Sequence, residues 1–372
     1  MSTRTEGAHH AEQVDAASVG KVALDPEVVE AATQRIGREL FEHISRAPAS
    51  PLTRQWWDDH LVEWTTSDPA VKNQLFRFID VLPMLADDRA VLAHLHEYLD
   101  PVAQQMPRAM RMAISVARPG SLTGRALAIA ARRNVLAYAH RFIAGTSAAE
   151  VLETAAAERR MGRAFTLDRL GEAVTSDVEA DAYLASYLAL IEAVAPRVNA
   201  WPEQPRLDRD SRGPMPRMNV SVKLSALDAH FNPTDAAGTA RRVKARLREL
   251  LRCAARHRAH VHVDMESYST KDLTLAIFRD ILLEAEFRDT PHVGIVLQCY
   301  LKDAERDIAE LVDWARHRGT PIWVRLVKGA YWDFEMAHAR AVGWPVPVFQ
   351  QKWQSDATFE SQCRTVMANA EF

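Results

Sequence analysis

From Pro26 to Ala157 the apolar positions recur three and four residues apart, which is the spacing of a helix face. Val71–Leu85 is the clearest case, and Pro83 is expected to interrupt it. Ser121-Leu-Thr-Gly124 and Ala144-Gly-Thr-Ser147 read as helix connections, with Thr146 or Ser147 placed to cap the helix that holds Val151 and Leu152. No segment of this half alternates, so a helical arm is expected. After Arg160 the pattern changes. Short apolar runs at 164–168, 218–224, 260–264, 292–300 and 322–327 are separated or followed by helical stretches near 177–194, 236–257, 271–286, 304–318 and 355–370.

Strands alternating with helices predict a parallel sheet with right-handed crossovers. No glycine-rich dinucleotide fingerprint follows the first strand, which weakens a Rossmann reading. Polar residues recur instead at the strand C-terminal ends: Asp168, Lys223, Asp264, Gln298 and Arg325. A (β/α)8 barrel builds its active site at that end. The fold class expected is α/β, a (β/α)8-type barrel incomplete at about five of eight βα units, preceded by an all-helical N-terminal region. The domains expected are a disordered stretch at 1–25, a helical arm or wrapping region at 26–157, and the barrel at 158–372.

Composition narrows the function without choosing it. The 372 residues are 48% hydrophobic and 26% charged, as in a globular domain. A formal charge of -3 argues against non-specific nucleic-acid binding, and the Arg132-Arg133, Arg159-Arg160 and Arg241-Arg242 pairs read as solvated helix faces. Cys253, Cys299 and Cys363 are odd in number and widely spaced, which suggests a reducing compartment and neither a disulfide framework nor a zinc site. No stretch has the length of apolar sequence a membrane span needs, and the N-terminus lacks a signal-peptide h-region; a cytoplasmic location is expected.

The chemistry concentrates in Thr320–Asp333. Ile322–Val327 reads as a strand buried on both faces, interrupted by Arg325. A cation there must be paired or aimed at a ligand, unless it snorkels from a core strand. Lys328-Gly-Ala330 lets an anionic group approach the backbone, and Tyr331 and Trp332 offer flat faces to a planar ring. Together they suggest a large anionic, aromatic cofactor. Lys223 can bind a carboxylate, or act as a Schiff-base nucleophile if its pKa is lowered. Asp264 can orient an amine or a hydrogen-bond network. Gln298 suits the edge of a flavin ring, and Arg325 near flavin N5 would stabilise an electron-rich ring. His257, His260 and His262 invite a metal reading, but no carboxylate accompanies them on the same face, and no metal site is expected.

Residues 163–360 resemble the proline dehydrogenase domain, a flavin-bearing (β/α)8 barrel. The motifs are Leu170-Gly-Glu172, Ser221-Val-Lys-Leu-Ser-Ala-Leu227, Asp264-Met-Glu266, Gln298-Cys-Tyr300 and, most specific, Arg325-Leu-Val-Lys-Gly-Ala-Tyr-Trp-Asp333. Phe76-Arg-Phe-Ile-Asp-Val-Leu-Pro83 and Phe142-Ile-Ala-Gly145 look like the segment preceding the barrel in the bifunctional proline utilisation proteins, where an aldehyde dehydrogenase domain follows. The resemblance implies FAD as cofactor, L-proline as substrate and 1-pyrroline-5-carboxylate as product, by hydride transfer to flavin N5. It implies a quinone as electron acceptor, and with it a peripheral membrane contact. It implies that Lys223 holds the proline carboxylate, with Asp264 in the substrate-side network. Arg325 and Gln298 would contact the flavin ring. Val327, Lys328, Gly329, Ala330, Tyr331 and Trp332 would receive the rest of FAD. Ser355 stands where the family usually has Thr.

The family's paired arginines for the substrate carboxylate, and a further FAD-contacting strand, would fall past Phe372. Glu172 resembles the acidic partner of one of those arginines. The expectation is therefore a truncated proline dehydrogenase domain that binds little FAD and does not oxidise proline by itself. Two other readings stay open: a Schiff-base lyase using Lys223 or Lys328, and a non-catalytic remnant.

Overall fold

The computed structural model describes residues 25–45, 68–106, 108–118, 120–139, 143–171 and 174–372. Residues 1–24 of the stretch 1–25 expected to be disordered lie outside them, as do Glu172 and Trp56, Trp57 and Trp64, expected to pack the helical region. The chain divides into two units, Met1–Ala137 and Tyr138–Phe372.

The first unit is helical: α1 (Pro26–Ser45), α2 (Pro69–Val81), α3 (Asp88–Leu99), α4 (Arg108–Val116) and α5 (Leu122–Ala139), the last reaching past the division. Asp68 starts α2 by accepting from the backbone N–H of Ala70 and Val71, with Pro69 at the first helical position. Its end comes where Pro83 removes a donor, and the chain tightens into a 3-10 turn over Leu82–Met84. Val71, Phe78, Val91, Leu95, Leu99, Val102 and Ala128 share one apolar core.

The second unit opens with α6 (Ala148–Arg160), capped by Ser147. This helix runs across the boundary expected at 157/158. Val151 of α6 is buried in the same core as Tyr187, Ile191 and Val194 of α7 (Asp177–Asn199), so α6 folds with the sheet. Five strands follow the expected plan: β1 (Leu167–Asp168), β2 (Met218–Val222), β3 (Ala259–Val263), β4 (Val293–Gln298) and β5 (Trp323–Val327), all parallel and in sequential order. Such an order is that of consecutive staves in a (β/α)8 barrel. Between them run α7, α8 (Ala236–His257), α9 (Tyr268–Leu282) and α10 (Ala304–Arg318), followed by α11 (Trp332–Val342) and α12 (Lys352–Met367). α8 and α10 coincide with the stretches expected from the sequence. α11 does not: it begins at Trp332, a residue whose sequence context points to a ring-stacking face.

Alternation along the strands builds the site. Val220, Val222, Val261, Val263, Ile295 and Leu297 point one way into the apolar core. The intervening positions point the other way and include the polar Asn219, Ser221 and Lys223 on and just past β2, His260, His262 and Asp264 on and just past β3, and Arg325 on β5. Cross-strand register aligns Asp168 with Ser221, Ser221 with His262, and His262 with Gly294. β5 departs from the expectation of burial on both faces: Trp323 is exposed and Val324–Val327 half-buried, because β5 pairs with β4 alone among the described strands.

Candidate active site

Asp264 lies at the centre of the strand-end cluster. Its Oδ1 accepts from Arg325 Nη1 at 3.3 Å and from Ser221 Oγ, and its Oδ2 accepts from Lys223 Nζ at 3.3 Å. Arg325 Nη1 also donates to Ser221 Oγ at 3.0 Å. Lys223 donates to both oxygens of Asp168, at 3.0 and 3.2 Å. The fold thus brings Asp168, Lys223, Asp264 and Arg325 together from four strand ends, two cations against two carboxylates. Tyr187 on α7 fixes the floor, its hydroxyl donating to Ser221 O at 2.5 Å and accepting from Arg169 N at 3.2 Å.

This arrangement decides the state of Lys223. Burial alone would lower its pKa, but the hydrogen bonds to Asp168 and the charge of Asp264 outweigh burial and raise it. The face of Lys223 is lined by the carboxylates of Asp168 and Asp264. Lys328 is likewise raised, by its hydrogen bond to Asp356. A Schiff-base nucleophile needs the opposite shift, so the geometry argues against the lyase reading at either lysine.

The residues assigned to a cofactor divide. Gln298 is buried, and its Nε2 donates to Glu266 O at 2.7 Å, so its amide nitrogen is engaged within the protein. Glu266 in turn accepts from Ser225 Oγ at 2.5 Å and Ser225 N at 3.2 Å. Beyond β5, Lys328 and Lys352 both pair with Asp356, Lys352 at 2.6 Å. Gly329 adopts a φ of +137°, and a Cβ there would stand 2.5 Å from the Tyr300 ring. Trp332 is 39% exposed, with Nε1 donating to Phe349 O at 2.8 Å. Tyr331 is half-buried, Ala330 exposed, and Ser355 buried on α12. Val327 closes β5, its carbonyl accepting from Cys299 N at 2.8 Å.

A dinucleotide with a flat ring asks for cations, close backbone approach and an aromatic face along one strand end. Arg325, Lys328, Lys352, Gly329 and Trp332 supply these within one segment and its neighbouring helix, so the donor set fits FAD.

Beneath the cluster, His260 and His262 do not form a metal pair. His260 Nε2 and His262 Nδ1 share a hydrogen bond of 2.7 Å, which leaves no room for an ion between them. Burial first, then the charge of Arg325, pulls His262 down to about 4; burial and the neighbouring His262 pull His260 down to about 2. Both rings are neutral near pH 7.

Sequence reasoning missed Ser221 and gave Asp168 no role beyond its place at a strand end. The available signal was period two: Ser221 shares a strand face with Lys223, and Asp168 ends the neighbouring strand.

A sequential parallel sheet carrying a cation–carboxylate cluster at its C-terminal edge defines the class, a barrel-type α/β protein with a strand-end polar site. Residues 151–372 match the proline dehydrogenase family, and residues 30–142 match the proline utilization A N-terminal domain. The chain belongs to the proline dehydrogenase family. The bifunctional protein PutA of Escherichia coli (strain K12) is 28% identical over 228 residues, 61% of this chain and 16% of that protein. A proline dehydrogenase of Deinococcus radiodurans is 32% identical over 204 residues, 54% of this chain and 55% of that protein. Proline utilization A from Bdellovibrio bacteriovorus, inactivated by N-propargylglycine, superposes with a TM-score of 0.80 at 35% identity over 92% of this chain and 34% of that one. The chain therefore spans a small part of the length of the bifunctional relatives.

Proposed function

We propose that this chain carries the proline-oxidising site of an FAD-dependent proline dehydrogenase, converting L-proline to 1-pyrroline-5-carboxylate and passing the electrons to a quinone. The observation that carries the reading is the clamp of Asp264 between Lys223 and Arg325. Lys223 would receive the substrate carboxylate, exchanging its bond to Asp168 for one to the ligand. Asp168 is 43% exposed at its side chain and can swing into water when displaced. Asp264 would hold the secondary amine and take part in releasing its proton as the neighbouring C–H bond breaks. Arg325 would oppose the negative charge that develops on the acceptor side. Gln298 would present its carbonyl, its amide nitrogen being tied to Glu266 O. Val327, Lys328, Gly329, Ala330, Tyr331, Trp332 and Ser355 would hold the rest of FAD, which when bound supplies the two-electron acceptor. A cytoplasmic location with a transient membrane contact, and the aldehyde dehydrogenase domain that the resemblance to the bifunctional proline utilisation proteins implies, complete the proposal.

The test is a visible spectrum of the purified chain, followed by anaerobic addition of L-proline. A flavin spectrum that bleaches supports the reading. A colourless protein that borohydride traps on a carbonyl substrate through Lys223 or Lys328 overturns it in favour of the lyase. Protein that takes up little FAD and does not bleach agrees with the expectation for residues 1–372 alone, and the spectrum is then taken on a chain completed with the family's remaining strands, where a colourless protein that traps no substrate overturns the reading in favour of the remnant.

A further inference from the structure

Glu192, Cys253 and His257 form a second cluster of reactive side chains away from the strand-end site. One ligand atom from each lies within 4.8 Å of the other two. Cys253 and His257 are four residues apart on α8, the spacing that stacks two side chains on one helix face. Glu192 comes from α7, which packs against α8. Asn199 Nδ2, at the end of α7, donates to His257 O at 2.8 Å and fixes the two helix ends together. α8 ends immediately before β3 begins, so the cluster belongs to the N-terminal ends of the strands, opposite Lys223, Asp264 and Arg325.

We propose that Glu192, Cys253 and His257 bind one divalent transition-metal ion of the zinc type, joining α7 to α8. Thiolate, imidazole and carboxylate are the donors zinc takes, and three protein ligands leave a fourth position for water. Tetrahedral zinc bonds of 2.0–2.3 Å place ligand atoms about 3.5 Å apart. The separations exceed that by at most about an ångström, and exposed Glu192 can close on Cys253 and His257 by changing rotamer. Charge is matched as well: one carboxylate and one thiolate neutralise the ion. Binding replaces the thiol's S–H bond with a metal–sulfur bond and releases the proton to solvent. This ion does not join the redox chemistry. It closes the helix pair behind β2 and β3.

Chelator-treated protein is titrated with Co2+ and separately with Zn2+. One equivalent of Co2+ should give a near-ultraviolet thiolate charge-transfer band, and one equivalent of Zn2+ should raise the melting temperature. Cys253→Ala should abolish the band. Glu192→Gln, at an exposed position that does not threaten folding, should weaken affinity more than about tenfold, the loss expected even for an outer-shell partner. A cobalt spectrum without the thiolate band overturns the site. So does a band that persists in Cys253→Ala, which would assign binding to Cys299 or Cys363, or unchanged affinity in Glu192→Gln.

Discussion

Arg325 Nη1 and Asp264 Oδ1 stand 3.3 Å apart across the strand ends, and Ser221 Oγ hydrogen-bonds to both. The serine is buried and holds the cation–carboxylate pair in one geometry.

Ser221→Ala removes the hydroxyl but leaves Asp264 paired with Lys223 and Arg325. Hydrogen bonds to charged partners contribute about 1.5–3 kcal/mol, so kcat for proline should fall by about 10- to 100-fold. KM should change less, because Lys223 is untouched, and urea unfolding should shift by no more than the about 1.5–3 kcal/mol that these bonds contribute. An unchanged kcat, or a collapse in stability, would remove Ser221 from the positioning role.

Arg325→Met deletes the cation on β5. The expected loss is about 2–4 kcal/mol of transition-state stabilisation, the size found for one oxyanion donor. Stopped-flow flavin reduction at saturating proline, in a chain completed with the family's remaining strands, reads it; reduction at the parent rate would show that Arg325 does not act on the reacting atoms.

Gly329→Ala places a methyl against the Tyr300 ring at a φ that L side chains avoid. Strain of about 1–3 kcal/mol should appear as a lower melting temperature, with weaker FAD retention on gel filtration. Ala330→Gly at the exposed neighbouring position should change the melting temperature less.

Acid should destabilise the fold through the histidine pair. His262 titrates at about 6.5 when unfolded and at about 4 in the folded protein, because burial and Arg325 oppose its charge. Below pH 6.5 the unfolded chain binds a proton that the folded chain refuses, so stability falls as the pH drops from 6.5 to 4 and then levels off for this group. The loss from His262 is about 3 kcal/mol, and His260 adds to it in the same direction. Urea midpoints across that range measure the slope; His262→Gln should flatten it, and a parent slope of zero would contradict the neutral, buried pair.

The element order was legible in the chain because it rests on local rules. Helical spacing in Ala236–His257 and Ala304–Arg318, the cap at Ser147, and the stop before Pro83 each depend on residues a few positions apart. The polar strand ends were legible for the same reason: period two along a strand puts Ser221 with Lys223, and His260 with His262, before any partner is known. α11 was hidden because Tyr331 and Trp332 read more strongly as ring faces than as a helix start.

What the chain could not declare by itself are the pairings across strands. Asp264 meets Lys223 and Arg325 through strand register, and Lys328 meets Asp356 across 28 residues. Those contacts decide protonation: Lys223 remains charged because Asp168 and Asp264 arrive beside it, and His262 remains neutral because the sheet buries it near Arg325. Local sequence determines which residues share a strand face. Only the folded sheet determines which charges meet, because charge state depends on burial and on neighbours that the linear chain holds tens of residues apart.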